Sequence, residues 1–154
     1  MKTLFKSVHL FSMIAWFGGT LFISLVAPPM FHAFSREQAG DIMGGVIFPT
    51  YFTLSYWGGG LTLASLLLVR GNKVRFRAIL ILVMLLLTLY SGLWAGREAN
   101  RLRQELRAET SSERTAELKN SFHLQHRLSF FSLMTMAAMI PLVVILTARD
   151  LKDS

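Results

Sequence analysis

Charge is missing from four long stretches of this chain. No Lys, Arg, Asp or Glu occurs from Ser7 to Ser35, Ile42 to Val69, Ala78 to Gly96 or Leu128 to Ala148, which hold 29, 28, 19 and 21 residues. A helix rising about 1.5 Å per residue needs about 20 residues to cross the hydrocarbon layer. Backbone N–H and C=O groups in lipid must be paired internally, which leaves helices as the spanning form for segments this apolar. The sequence therefore predicts an all-α integral membrane four-helix bundle. It forms a single domain over residues 1–154, with spans at about 4–27, 46–69, 78–96 and 128–148 and an extramembrane helical hairpin at about 97–127.

An apolar fraction of 53% agrees with a chain whose bulk lies in lipid, and the absence of cysteine excludes disulfides, thiolate ligands and cysteine nucleophiles. The formal net charge of +7 suggests nucleic acid in a soluble protein. Here the basic residues cluster beside the spans, so membrane lipids are the expected partners and nucleic acid is not. Lys2 and Lys6 precede an apolar run that is longer than a signal-peptide core and contains Trp16, Gly18 and Gly19, which predicts an uncleaved first span. Four crossings put both termini on one side. Lys and Arg number eight on each side, and the short, purely basic loop from Arg70 to Arg77 then favours cytoplasmic termini.

Pro28 and Pro29 predict a stop to the first helix at Ala27, because proline removes a donor and disfavours helix in the residue before it. Met30 to Gly45 reads as a connector holding a short interfacial helix, with Ser35 as its cap and Glu37 in its first turn. Phe48-Pro49 opens the second span, in which Tyr51, Phe52, Tyr56 and Trp57 read as an interfacial belt. Beyond the third span, Leu102 and Leu106 share one face, as do Leu118 and Phe122 on the returning segment. Thr110 and Glu113 match a capping box, so the last helix is expected from near Ser112 to about Ala148, kinked at Pro141.

Glycines at membrane depth allow helices to approach closely: Gly18 and Gly19, then Gly58, Gly59 and Gly60, then Gly92 and Gly96. The triple glycine could also form a hinge or a face for a flat ligand. His9 sits inside the first span with Met13, Trp16 and Thr20 on its face, and a buried imidazole needs a partner. Either a neighbouring helix satisfies a neutral ring, or His9 and Trp16 form a cofactor site for haem b, a transition metal or a proton. His123 and His126 are spaced i, i+3, and with His32 they offer three imidazoles for zinc or copper. A solvated or lipid-facing His pair is the plainer alternative. Met134, Met136 and Met139 fit as packing, and no phosphate loop, catalytic triad motif or zincin pattern is present.

Val8-His9-Leu10, Trp16-Phe17-Gly18-Gly19, Ala27-Pro28-x-x-Phe31, Ala39-Gly40, Phe48-Pro49-x-Tyr51-Phe52 and Leu124-x-His126-Arg127-Leu128-Ser129 together resemble the transmembrane protein 205-like family, also called domain of unknown function 4149. The resemblance spans nearly the whole chain, departs at Ser132 where Asn is expected, and implies a four-helix membrane protein without an established reaction. His9 with Trp16-Phe17-Gly18-Gly19 is also similar to the opening helix of copper-resistance protein D and of membrane protoporphyrinogen oxidases. That similarity implies haem at His9. The leading expectation is a binding, transport or accessory component rather than an enzyme. A redox protein using His9 and an oligomeric scaffold, built through Gly92 and Gly96 or through the charged hairpin, are the alternatives, and a second copy or a partner membrane subunit is the expected protein partner.

Overall fold

In the computed structural model, residues 2–69 and 74–152 are described. Arg70 and Lys73, two charges of the loop used above to orient the chain, lie outside them. Helix α1 spans Lys2–Ala33, α2 Arg36–Ile42, α3 Phe48–Val69, α4 Val74–Leu89, α5 Gly96–Ala108 and α6 Ser112–Lys152. Two π-helical stretches, Met43–Ile47 and Tyr90–Ala95, join α2 to α3 and α4 to α5 without a break. There is no strand among the described residues.

Several boundaries differ from the sequence expectation. Helix α1 runs through Pro28 and Pro29 instead of stopping at Ala27. A proline frees the carbonyl four residues back, yet membrane helices tolerate this where packing keeps the chain on course. Helical bonding has resumed by Phe34, whose N–H donates to the Met30 carbonyl at 3.1 Å. The connector expected over Met30 to Gly45 is thereby reduced to Phe34 and Ser35. Ser35 does cap α2: its Oγ accepts the Gln38 N–H and the Gln38 side chain accepts the Ser35 N–H, each at 3.3 Å. Helix α6 starts at Ser112, but the carboxylate that holds the preceding turn belongs to Glu109. Its Oε1 accepts the N–H groups of Thr110 and Ser111 at 3.0 and 2.9 Å, a role the Thr110 and Glu113 pair was expected to fill.

Three segments are long and apolar enough to cross a membrane: Leu4–Ala33, Val74–Ala108 and Ser112–Asp150. The third-span helix thus continues through the π stretch into α5. Helix α3 has a comparable length of 22 residues and carries the triple glycine among its apolar side chains. Helix α1 packs on α3, α3 on α4 and α4 on α6, and α6 touches α1 lightly to close a ring.

Polarity is distributed inside out. Phe11, Ile14, Leu54, Trp57, Ile79 and Phe131 point outward, whereas Thr20, Ser55, Thr62, Thr88, Ser91 and Thr147 are buried. Such an exterior suits hydrocarbon, and the interior hydroxyls other than Ser91, whose Oγ meets no hydrogen-bond partner among the described residues, bond between helices or back to their own carbonyls. Thr20 Oγ1, for example, donates to the Trp16 carbonyl and lies 2.9 Å from Tyr51 Oη. Tyr51 is therefore a core residue, and of the four expected belt aromatics only Trp57 projects fully outward.

Candidate functional site

At the terminal end of the bundle a polar chain runs through all four long helices. His9 of α1 is 2% exposed, and its Nδ1 lies 3.1 Å from the Thr62 carbonyl and 3.2 Å from Ser65 Oγ on α3. A carbonyl can only accept, so the proton sits on Nδ1 and the lone pair on Nε2. That lone pair faces Arg77 Nη2 of α4 at 3.3 Å. Arg77, 2% exposed, donates through Nη1 to Asp150 Oδ2 of α6 at 2.6 Å. Thr62 Oγ1 donates back to Ser12 Oγ of α1 at 3.0 Å.

This arrangement bears on two readings of His9. Both ring nitrogens are engaged, and the one with a lone pair points at a guanidinium, whose charge repels a metal ion. The residues therefore do not fit an axial ligand to haem or another metal at His9. Trp16 is equally closed off: it is 1% exposed, and a Cβ added at Gly58 would meet the Trp16 Cβ at 3.0 Å and one at Gly59 would meet its ring at 3.2 Å. Arg77 was read from the sequence as part of an orienting basic loop. Instead it turns inward, and its partner is 73 positions away.

The three other histidines are not gathered. His32 is exposed in the last turn of α1, His123 is exposed on α6, and His126 stacks on Phe122 with ring centroids 5.9 Å apart. No group of three or more His, Cys, Asp or Glu side chains that could hold a metal exists among the described residues.

The glycines separate into two kinds. At Gly92 an added Cβ would collide with Tyr56 Oη and come within 2.6 Å of Phe52 Cγ, and at Gly59 it would reach 2.8 Å from Leu85 Cδ1. These are contacts between helices of one chain. Gly18 and Gly60 face open space, and Gly19 makes ordinary contact with Tyr51, at 3.7 Å. At Gly96 the tight neighbour is the Ser91 carbonyl of its own helix, at 2.8 Å. Helix α3 passes through Gly58, Gly59 and Gly60 unbroken.

At the opposite end lies a cavity of about 490 Å³ that no sequence motif announced. Its walls come from the last turns of α1, the start of α3, the α4–α5 junction and the first half of α6, with Ile23, Phe52, Leu133 and Met134 among its apolar residues. Both π-helical stretches contribute, through Met43 and Gly44 and through Gly92 and Leu93. Arg97, Asn100, Arg103 and His126 are among its polar residues. Asn100 Nδ2 donates to the Gly44 carbonyl at 3.0 Å, Arg103 donates to the Gly40 carbonyl, and Arg107 pairs with Asp41 at 2.7 Å. These bonds fasten α2 and the first π stretch onto α5 and so shape one wall.

A family model described as a domain of unknown function (DUF4149) matches residues 11–108, more than half of the chain. The protein belongs to that family. The DUF4149 match covers α2, α3, α4 and α5, and with them most of the cavity wall and Ser12, Thr62, Ser65 and Arg77 of the polar chain. No curated protein and no solved structure matches this DUF4149 protein.

Proposed function

We propose that this DUF4149 protein is a transmembrane protein 205-like, four-span membrane protein that works as a binding, transport or accessory component rather than as an enzyme. In this reading α3 is the fourth crossing, α5 and the first turns of α6 form a hairpin outside the bilayer, and both termini face the cytoplasm. Membrane lipids surround it, alone or beside a partner subunit or second copy.

The observation that carries the reading is the cavity, whose volume of about 490 Å³ falls within the range of small-molecule sites, about 300–1,000 Å³. Two features support a role beyond imperfect packing. It combines an apolar wall with a few polar groups, the usual make-up of a ligand site. Both π-helical stretches also border it, and such stretches are uncommon and often accompany functional positions.

The test is native mass spectrometry of protein purified in detergent, together with solute-flux assays in liposomes. A retained molecule, lost when Leu133→Trp fills the cavity, supports the reading. Turnover of a substrate by the isolated chain would overturn it. An absorption spectrum of protein expressed with ample haem addresses the redox alternative, and a Soret band abolished by His9→Ala would revive it.

A further inference from the structure

The cavity wall carries no carboxylate, although it carries two arginines and a histidine. Arg103 is already committed, bonded to the Gly40 carbonyl and lying 5.8 Å over the Phe122 ring. Arg97 and His126 differ. Among the described residues neither makes an ion pair or hydrogen bond, and both are exposed at the edge of the cavity.

Their positions along the chain set their depth. Arg97 directly follows the charge-free stretch that ends at Gly96, and His126 lies two residues before the one that begins at Leu128. Two basic groups at the ends of two crossings stand at the level of lipid phosphates, where basic pockets between helices bind anionic head groups. Below them the wall turns apolar through Phe52, Phe130, Leu133 and Met134. Phe130 is half exposed, so the space reaches the outer surface beside α6.

We propose that the cavity binds one anionic phospholipid, with its phosphate between Arg97 and His126 and an acyl chain lying along Phe52 and Leu133. The proposal rests on the binding reading given above and names its ligand. A guanidinium meets phosphate oxygens through paired N–H donors, and an imidazole supplies an N–H in either protonation state. The missing carboxylate leaves nothing to repel the head group, and the absence of an internal partner leaves Arg97 available to it.

The experiment uses the full-length protein in micelles containing phosphatidylglycerol and phosphatidylcholine in equal amounts, with native mass spectrometry reading the lipid retained. One phosphatidylglycerol should be held with about fivefold preference, the scale of one basic side chain acting on an anionic lipid. The preference should vanish in Arg97→Gln/His126→Gln and persist in Arg101→Gln, whose guanidinium pairs with Glu98 and Glu105 on the same helix outside the cavity. Melting temperatures of the variants show that each is folded. Equal retention of the two lipids overturns the anionic assignment and leaves the binding reading standing, whereas retention of neither overturns both. A preference that survives the double substitution overturns the assignment to Arg97 and His126.

Discussion

Arg77 reaches Asp150 across 2.6 Å from the start of α4 to the end of α6, with side-chain exposures of 2% and 10%. The same guanidinium faces the lone pair of His9, so one cation links three helices, and the imidazole carries the link to α3. Removing one partner of a buried pair strands the other charge, which costs about 3–5 kcal/mol, whereas replacing both with apolar residues is often close to neutral. Asp150→Ala should therefore lower the melting temperature in detergent more than the double variant Arg77→Met/Asp150→Leu does. Equal losses would show that the charge of Arg77 finds water without Asp150.

His9→Ala should cost about 1–3 kcal/mol, the penalty of leaving a buried Arg77 donor without its partner. His9→Asn should recover part of this, since an amide can both donate and accept. Thermal unfolding followed by circular dichroism checks the order. Identical stability of all three proteins would mean that the polar chain contributes nothing.

Glycine positions should respond in opposite directions. Gly92→Ala forces the Phe52 and Tyr56 rings to move, and overpacking of this kind costs about 1–3 kcal/mol. Gly60→Ala meets nothing within 4 Å and removes a flexible residue from the middle of α3, so it should be neutral or stabilise by about 0.5–1 kcal/mol. Melting temperatures of the two variants in the same detergent decide the point.

Asn100→Ala and Arg103→Gln should loosen residues 36–47, because the bonds from these side chains to the Gly44 and Gly40 carbonyls hold that segment against α5. Hydrogen–deuterium exchange should rise there by about fivefold or more for the loss of about 1 kcal/mol of local protection. Exchange confined to the neighbourhood of residue 100 would contradict this picture.

What could be read in the sequence was whatever repeats locally. Charge-free runs gave the three apolar segments, Ser35 gave the start of α2, and the Thr110 and Glu113 pair placed the start of α6 although Glu109 holds the turn. The small residues Gly58, Gly59 and Gly92 were recognisable as packing positions. Pro28 and Pro29 misled, because a proline's local preference for ending a helix yields when packing on both sides favours continuation. The pairing of Arg77 with Asp150 left no trace, since each looks like an ordinary charge at the end of a span. The π stretches have no compositional mark, and the cavity draws its walls from four distant segments, so neither could be read from spacing.

Each π stretch winds an additional residue into its helix. Deleting one residue between Tyr90 and Ala95 would let the helix close as a plain α-helix, yet everything beyond would swing by about 100° around its axis. Arg97, Asn100 and Arg103 would then sweep off their present side together, while α4 stayed in place. The orientation of the cavity's basic side chains is thus set by a single peptide unit, so length in this short segment, more than the identity of its residues, is the tightly constrained quantity.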